Sequence, residues 1–341
     1  MKNFFIIAIS CLFFSCGNSQ KQDRPVSPEA EPVAIDYATG FSIERFEDYS
    51  ILRIHSPWPE ADALSYLLYE SEAEIPDDIG YDQKIKIPVK SLVVTSTTHI
   101  PALEALAEEE KLTGFPGLNY ISSEKTRARI DAGEIKELGK NENINTESLI
   151  ELQPDVVIGF AIDGNNRTFE NIQKTGIPVV YNADWIENDP LGKAEWIKFM
   201  GAFFGKIQEA TRIFKNIETE YLEAKSLALT AKNKPSVIGG SMYRDQWFMP
   251  PGNSWQAKFF KDANANYLYK DTQAEGSLNL SFEKVLEQSK DADFWISSGH
   301  FTSYAQLLEE SQHYSQFKAV KNKKVYSPSL SKGATGGVTY F

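Results

Sequence analysis

The chain has 341 residues, of which 42% are apolar and 12% aromatic, so it can form about two domains with real cores and is not mainly disordered. Its 47 acidic and 35 basic side chains leave a net charge of −12. Because phosphate backbones would repel such a chain, nucleic acid is not an expected partner. Both cysteines, Cys11 and Cys16, precede the predicted folded part, which excludes a disulfide framework, a Cys-based zinc site and a thiolate nucleophile there.

The N-terminus has the layout of an export signal. The apolar run that begins with Phe4–Ile9 is too short for a stable membrane span. A small residue before Cys16 resembles the lipobox of bacterial lipoproteins, which predicts that residues 1–15 are removed and that Cys16 carries a lipid. A cleaved signal without a lipid and an uncleaved core segment are the alternatives, and Cys11 is the weaker lipid candidate. Residues 16–36 are predicted to form a tether, because their prolines and alternating charges do not favour burial.

Two patterns define an N-terminal lobe, which we assign to residues 37–205. Alternating apolar and polar residues predict a half-buried hairpin at Phe41–Phe46 and Tyr49–Ile54, with a third strand near Tyr66–Tyr69. Short β-branched runs then alternate with helical patterns, which is typical of βα units and a parallel sheet. The predicted strands are Leu92–Thr95, Val156–Phe160 and Val179–Tyr181, and the predicted helices are Ile100–Glu109, Thr146–Leu152 and Phe169–Lys174.

A long helix separates this lobe from a second one. Between residues 206 and 231, apolar residues recur every three or four positions without Gly or Pro, which predicts a rod of about 39 Å. Residues 232–341 then repeat the βα pattern. The predicted strands are Ser236–Gly240, Trp247–Met249, Phe294–Ser297 and Val325–Tyr326, and the predicted helices are Trp255–Ala263 and Phe282–Ser289. The predicted fold is α/β, with two Rossmann-like lobes, each around a mostly parallel sheet, joined by one long rigid helix.

The sequence contains no catalytic signature. Gly201–Lys206 resembles a phosphate-binding loop, but it is one residue short and lacks the following Ser or Thr, so we interpret it as a packing segment. Gly-x-Ser-x-Gly, His-Glu-x-x-His and Gly-x-Gly-x-x-Gly are all missing from the sequence. We therefore expect neither an enzyme nor a resident cofactor.

Candidate binding residues follow the predicted strands, because ligands in open α/β sheets bind outside the carboxyl ends of the strands. These candidates are Thr98, His99, Tyr120 and Phe160 in the first lobe, and Tyr243, Arg244, Trp247, Trp255 and His300 in the second. Aromatic walls with few polar groups suit a large organic ligand. Trp247 and Phe248 alternate in a strand, so at most one of them is expected to face it. Core packing is the alternative for each aromatic residue, and an ordinary loop position is the alternative for each histidine.

Four segments together resemble the substrate-binding proteins of bacterial ABC importers for iron chelates and cobalamin: Leu92–His99, Asn145–Ile158, the rod and Leu280–Leu286. The resemblance covers roughly residues 88–326. It implies the class III periplasmic-binding-protein fold and a lipid-anchored, extracytoplasmic monomer. Such a protein captures a ferric siderophore, haem or cobalamin between its lobes and delivers it to an ABC permease dimer with its ATPase. The family usually closes with a further helix, so we expect the C-terminal lobe to be truncated or unusually incomplete.

A short sequence pattern occurs once in each of the two lobes. Glu147 and Glu283 each lie in the first turn of a predicted helix, eight residues before an Asp that precedes a buried strand. First-turn carboxylates stabilise helices through the macrodipole, which explains both residues without a function. The resemblance identifies them instead as the carboxylates, one on each lobe, that meet arginine pockets on the permease.

Two rival functions remain open from the sequence. The first is direct capture of Zn²⁺ or Mn²⁺, which needs three or four converging nitrogen and oxygen ligands. His99, His300 and nearby carboxylates would have to supply them. The second is a two-lobed α/β enzyme that acts at the cell surface.

Overall fold

The computed structural model describes residues 30–72, 75, 79–297, 299, 301–328, 333, 335 and 336. Its strands, numbered in chain order, are β1 (Glu31–Pro32), β2 (Phe41–Arg45), β3 (Tyr49–Ile54), β4 (Leu64–Tyr69), β5 (Gln83–Lys86), β6 (Leu92–Val94), β7 (Leu112–Phe115), β8 (Lys136–Glu137), β9 (Gly139–Lys140), β10 (Asn143–Ile144), β11 (Val156–Gly159), β12 (Val179–Tyr181), β13 (Ser236–Gly239), β14 (Ser241–Tyr243), β15 (Gln246–Met249), β16 (Asn266–Tyr267), β17 (Leu278–Leu280), β18 (Phe294–Ile296) and β19 (Val325–Tyr326). Its helices are α1 (Ile100–Ala105), α2 (Glu124–Asp131), α3 (Thr146–Leu152), α4 (Arg167–Lys174), α5 (Pro190–Glu195), α6 (Ile197–Ala202), α7 (Ile207–Leu229), α8 (Trp255–Asp262), α9 (Phe282–Ser289), α10 (Tyr304–Glu310) and α11 (Lys318–Lys321). The predicted signal, Cys16 and His300 lie outside the described residues.

The first lobe begins with a five-stranded sheet in the order β1-β2-β3-β4-β5. Its central strands pair antiparallel, and β5 adds in parallel to β4. This confirms the predicted hairpin and third strand. Phe41 and Leu52 of this sheet belong to the same apolar core as Leu92 and Ile158 of the next sheet. The N-terminal sheet is therefore an integral part of the first lobe.

Residues 31–36, which the sequence assigns to the tether, are instead held against the first lobe by hydrogen bonds. The buried carboxylate of Glu195 accepts hydrogen bonds from the backbone N–H groups of Asp36, Tyr37 and Ala38 at 2.7–2.9 Å. Lys198 pairs with Glu195 and donates to the carbonyl oxygen of Ala34 at 2.8 Å. The tether prediction is wrong for this stretch, because partners about 160 residues away in the chain satisfy its backbone.

A parallel sheet in the order β12-β11-β6-β7-β8 forms the centre of the first lobe. The predicted strands are confirmed to within a residue at their ends. Helix α1 is shorter than predicted, since it ends at Ala105 and Ala107 takes a left-handed conformation with φ of 53°. Gly201–Lys206 packs as expected: a Cβ atom at Gly201 would lie 2.8 Å from the Cβ atom of Ala210.

The rod predicted between the lobes is α7, which has 23 residues and a length of about 35 Å. It begins and ends slightly inside the predicted bounds. Ala210 and Phe214 pack into the core of the first lobe, and the Tyr221 hydroxyl donates to the Asp262 carboxylate on α8 at 2.8 Å. The helix thus contacts both lobes. Among the described helices, α7 included, none combines the length and apolar character needed to cross a bilayer.

The second lobe contains a parallel sheet in the order β16-β13-β18-β19 and an antiparallel sheet in the order β14-β15-β17. The strand predicted at Trp247–Met249 is confirmed as part of β15, but it belongs to the antiparallel sheet. A tight hairpin at Arg244, with φ of 55°, returns the chain beside β14. The aromatic residues Trp295 and Phe317 dominate the core beneath both sheets.

Candidate functional site

The candidate site consists of the loops that follow the parallel strands of both lobes. Helices α5 and α8, which lie downstream of two such loops, bring the lobes into contact. The Lys258 ammonium lies 3.5 Å from the Asp189 carboxylate, and the Lys193 ammonium lies 5.9 Å from the ring centroid of Trp255. Because α5 belongs to the first lobe and α8 to the second, these contacts mark a junction between the lobes.

Tyr120 is the most exposed aromatic candidate of the first lobe, with 75% of its surface accessible. Its loop follows β7 and turns at Gly117, where φ is 80°. A Cβ atom at Gly117 would lie 2.7 Å from the Tyr120 ring, so the ring packs directly over the glycine. Glycine is therefore required here for both the backbone conformation and the position of the ring.

Glu137 holds the Tyr120 loop in place. Its carboxylate accepts hydrogen bonds from the N–H groups of Gly117, Leu118 and Gly139 at 2.8–2.9 Å. Although partial burial acts to raise the pKa of Glu137, these donors outweigh it and hold the pKa below its usual value. Sequence reasoning missed Glu137, because the contact joins residues about twenty positions apart and no local pattern encodes it.

His99 lies beneath the surface of the first lobe, with 1% of its area accessible, which corrects the prediction that it faces the cleft. Ser96 caps the 3-10 turn Thr97–His99; Thr98 stays exposed, with its hydroxyl 2.8 Å from that of Ser96, while His99 is buried at the start of α1. Neither ring nitrogen of His99 has a hydrogen-bond partner among the described residues, and burial lowers the pKa of the ring. Phe160, directly after β11, is half-buried.

In the second lobe, the hairpin of β14 and β15 separates the aromatic candidates. Tyr243 is 63% accessible, and the Arg244 guanidinium lies 5.3 Å from its ring centroid. Phe248 is partly exposed, with its ring 6.2 Å from that of Tyr243. Trp247 has no accessible surface and donates its indole N–H to the Gly239 carbonyl at 3.0 Å. The prediction that Trp247 contacts a ligand is therefore wrong, because strand alternation turns it into the core.

A depression of about 620 Å³ lies against this hairpin, within the size range of ligand pockets. It is lined by Ser241, Met242, Tyr243, Phe248, Gly299, Phe301, Gln306 and Glu310. The candidate His300 lies outside the described residues. The exposed aromatic candidates of the second lobe thus border a pocket rather than a flat surface.

Trp255 lies half-buried at the junction of the lobes, where its ring packs edge-on against Phe259. Lys193 approaches it from the first lobe and donates to the carbonyl oxygens of Asp184 and Trp185 at 2.8 and 3.2 Å. Burial lowers the pKa of Lys193, and Asp184 opposes that shift. Sequence reasoning missed both Lys193 and the exposed Trp185. Trp185 lies in the loop that follows β12, so the rule that ligands bind at the carboxyl ends of strands could have identified it as a candidate.

The described residues contain no group of three His, Cys, Asp or Glu side chains placed to hold a metal ion. His99, one of the ligands that the rival hypothesis requires, contacts no carboxylate or other polar partner in the described part of the chain through either ring nitrogen. Direct capture of Zn²⁺ or Mn²⁺ therefore has no assembled ligand set in that part of the chain.

Glu147 and Glu283 occupy matching positions on the two lobes. Both are exposed, and each lies in the first turn of its helix, α3 or α9. Asn145 caps α3 by accepting from the Ser148 N–H at 3.1 Å, and Ser281 caps α9 by accepting from the Lys284 N–H at 3.3 Å. Because side chains other than these carboxylates provide the caps, Glu147 and Glu283 remain free to face outward.

Comparison with known proteins matches residues 92–328 to the family described as periplasmic binding protein. An uncharacterized lipoprotein of Methanocaldococcus jannaschii is 30% identical over 286 residues, which are 79% of this chain and 68% of that protein. A periplasmic haem-binding protein of Vibrio cholerae superposes with a TM-score of 0.57 at 15% identity, covering 74% of this chain and 94% of that one. A siderophore-binding protein of the same organism, solved with Fe³⁺-Desferal, gives a TM-score of 0.55 at 17% identity over 70% and 88%.

Proposed function

Because the chain belongs to the periplasmic binding protein family, we propose that it is the extracytoplasmic binding component of an ABC importer. It captures a large organic metal chelate, namely a ferric siderophore, haem or cobalamin, between its lobes. The observation that carries this proposal is the set of exposed aromatic side chains at the strand ends of both lobes, Tyr120 on one and Tyr243 with Phe248 on the other. The shared fold with a haem-binding and a siderophore-binding protein supports it.

The side chains of the second lobe suit a chelate that carries negative charge. Arg244 can hold a carboxylate or hydroxamate oxygen through charge-assisted hydrogen bonds, while Tyr243 and Phe248 cover apolar parts of the ligand. A neutral ligand such as cobalamin would depend mainly on the aromatic walls. The importance of Arg244 therefore distinguishes the anionic chelates from cobalamin.

Delivery to a permease and attachment to a membrane complete the proposal. Glu147 and Glu283 are exposed, one on each lobe, and can pair with arginines on two permease subunits. Cys16 is the proposed lipid attachment site, and a Cys16→Ala variant should leave the membrane fraction. Recovery of that variant with membranes to the same extent as the wild type would contradict the anchor.

The ligand is identified by titrating the unlipidated chain with ferric desferrioxamine, haem, cobalamin and Zn²⁺ while tryptophan fluorescence is recorded. We expect saturable binding of one chelate. For an anionic one, Arg244→Ala should weaken affinity about tenfold, since a hydrogen bond to a charged group contributes about 1.5–3 kcal/mol. Arg53→Ala, on the N-terminal sheet, is the matched control. Saturation by Zn²⁺ with no response to any chelate would contradict the proposal.

A further inference from the structure

A second pocket, of about 700 Å³, lies where the N-terminal sheet meets the edge of the first-lobe parallel sheet. We call it the seam pocket. Trp58 and Tyr81 line it from the N-terminal side, and Asn166, Glu170 and Tyr181 line it from α4 and β12. Asn166 lies at the end of the loop after β11, but the exposed aromatic residues of the strand-end site, Tyr120, Tyr243 and Phe248, do not line the seam pocket. A ligand in the seam pocket would therefore contact a different set of aromatic side chains from one held between the lobes.

The two walls of the seam pocket are fixed to each other. The side-chain amide of Gln83 pairs with the backbone of Val179 on the edge strand β12, donating at 3.1 Å and accepting at 2.8 Å. The hydroxyl of the buried Tyr66 accepts from the Tyr181 N–H at 3.2 Å. These contacts join β4 and β5 to β12, so the pocket is preformed and a ligand would not have to order it.

Two donors that line the pocket have no acceptor within the described residues. Tyr181 is only 6% accessible, yet its hydroxyl has no hydrogen-bond partner there. Burial raises the pKa of Tyr181 to about 12, so the hydroxyl keeps its proton. The Trp58 ring packs edge-on against Tyr181 at 5.4 Å, and its indole N–H is also unpaired within that part of the chain. Among the described residues the Tyr181 hydroxyl is not one of the solvent-excluded polar atoms that lack a partner, so it is accessible from the pocket and can bond to a ligand in place of water.

Acceptors and aromatic surface complete the lining. Glu170 is exposed and forms no ion pair with any described residue, and Asp82 uses one carboxylate oxygen for the Ser65 N–H at 2.7 Å. Among the described residues that line the pocket, Lys84 is the sole cation, and its ammonium lies 2.7 Å from the Glu72 carboxylate. Two carboxylates and no free cation would repel a phosphate or another anion.

We propose that the seam pocket binds a saccharide. A sugar ring offers an apolar C–H face that can stack on Trp58 and Tyr81. Its hydroxyls both donate and accept, which matches donors at Trp58 and Tyr181 with acceptors at Glu170 and Asp82. A purely apolar ligand would leave these polar groups without hydrogen-bond partners. That is unfavourable, because a desolvated donor or carboxylate without a partner raises the free energy of the complex. The volume accommodates one or two sugar rings.

The test titrates the unlipidated chain with maltose and, separately, with the disaccharide of N-acetylglucosamine. Binding is detected by saturation-transfer NMR and by tryptophan fluorescence. We expect saturable binding of at least one of them. Tyr181→Phe removes a hydroxyl that bonds to no described residue, so folding should be retained while saccharide affinity falls about fivefold or more. Glu170→Gln, on the surface of α4, should weaken binding similarly. Tyr326→Phe, in the second lobe, is the matched control.

Failure of both saccharides to bind, or unchanged affinity in both Tyr181→Phe and Glu170→Gln, would overturn the proposal. Binding of inorganic phosphate in competition with the sugar would overturn it too. The same variants are titrated with the chelate that the wild type binds, and its affinity should not change. Weaker chelate binding by these variants would overturn the separation of the two sites. A wild type that binds a saccharide but no chelate would instead count against the proposed function alone.

Discussion

The two lobes present their strand-end side chains in different ways. In the first lobe, irregular loops decide what is exposed: the 3-10 turn after β6 buries His99, and the glycine turn after β7 exposes Tyr120. In the second lobe, a regular hairpin decides, since β15 turns Trp247 inward and Phe248 outward. Exposure in the first lobe therefore depends on backbone conformation at single positions, whereas in the second it depends on a two-residue repeat.

This difference affects how each lobe responds to substitution. A change in the hairpin core of the second lobe removes packing, because Trp247 contacts Trp295 and Phe317 at ring distances of 4.9 and 5.7 Å. A change in the Tyr120 loop instead alters the position of one exposed ring. Substitutions in the hairpin core of the second lobe should therefore mainly lower the free energy of unfolding, whereas substitutions in the Tyr120 loop should also lower the affinity for the ligand.

The largest effect is expected for Trp247→Ala. Removal of this fully buried ring should lower the free energy of unfolding by about 3–5 kcal/mol, the usual range for a buried aromatic residue. Phe248→Ala, one residue along the same strand, should lower it by less than about 1 kcal/mol. Chemical denaturation of both variants provides the measurement. Equal losses would mean that the alternation does not separate core from surface.

Gly117→Ala should have the next largest effect. A left-handed conformation costs an alanine about 1–2 kcal/mol, and the new methyl group would also displace the Tyr120 ring. Gly133→Ala is the matched control, because Gly133 has φ of 77° and open space around its Cα atom. Both variants should lose stability, but Gly117→Ala alone should weaken chelate binding. Equal chelate affinity in the two variants would show that Tyr120 does not contact the ligand.

Glu137 gives the first lobe a dependence on pH. The pKa of Glu137 is lowered in the folded state, so its contribution to stability is present above its usual pKa of 4.5 and is lost as the pH falls through the lower, folded value. Glu137→Gln should cost on the order of 1 kcal/mol at neutral pH, with the effect reduced by solvent screening. Thermal melts of both proteins from pH 7 to pH 3 should converge. A constant difference across that range would contradict this role.

The smallest effect on the isolated protein is expected at the matching acidic residues of the two lobes. Glu147→Ala with Glu283→Ala should leave chelate affinity within twofold but reduce stimulation of the ATPase in reconstituted permease, more strongly at low salt, because salt screens exposed charges. The exposed pair Glu151→Ala with Glu287→Ala, one turn further along the same helices, is the matched control. Identical stimulation by the two double variants would leave Glu147 and Glu283 with a helix-stabilising role alone.

Periodic patterns made most of the fold predictable. The hairpin at β2 and β3 follows from a two-residue repeat, and the long helix α7 follows from a repeat of three to four residues. The strands β11 and β12 follow from short β-branched runs. Strand β7 escaped prediction because Leu112–Phe115 is short and contains a glycine, and β14 and β17 are three residues each. Such strands form through their neighbours in the sheet rather than through a local pattern.

The candidate site was less predictable. The rule that ligands bind at strand ends found the loops of Tyr120 and Tyr243, but it did not reveal which side chains point outward. His99 was misjudged because the capped 3-10 turn continues directly into α1 and leaves His99 buried at their junction. Glu137 and Lys193 act through contacts with distant backbone groups, and a single sequence carries no signal for such contacts.

The central claim is that one ligand contacts both lobes. Calorimetric titration of the identified chelate into the wild type, Tyr120→Ala, Tyr243→Ala and the double variant tests it most directly. Both side chains are largely exposed, so the variants should fold normally. We predict that each single variant binds about fivefold more weakly, or worse, and that the double variant loses more than either. Wild-type affinity in either single variant would contradict a site shared between the lobes.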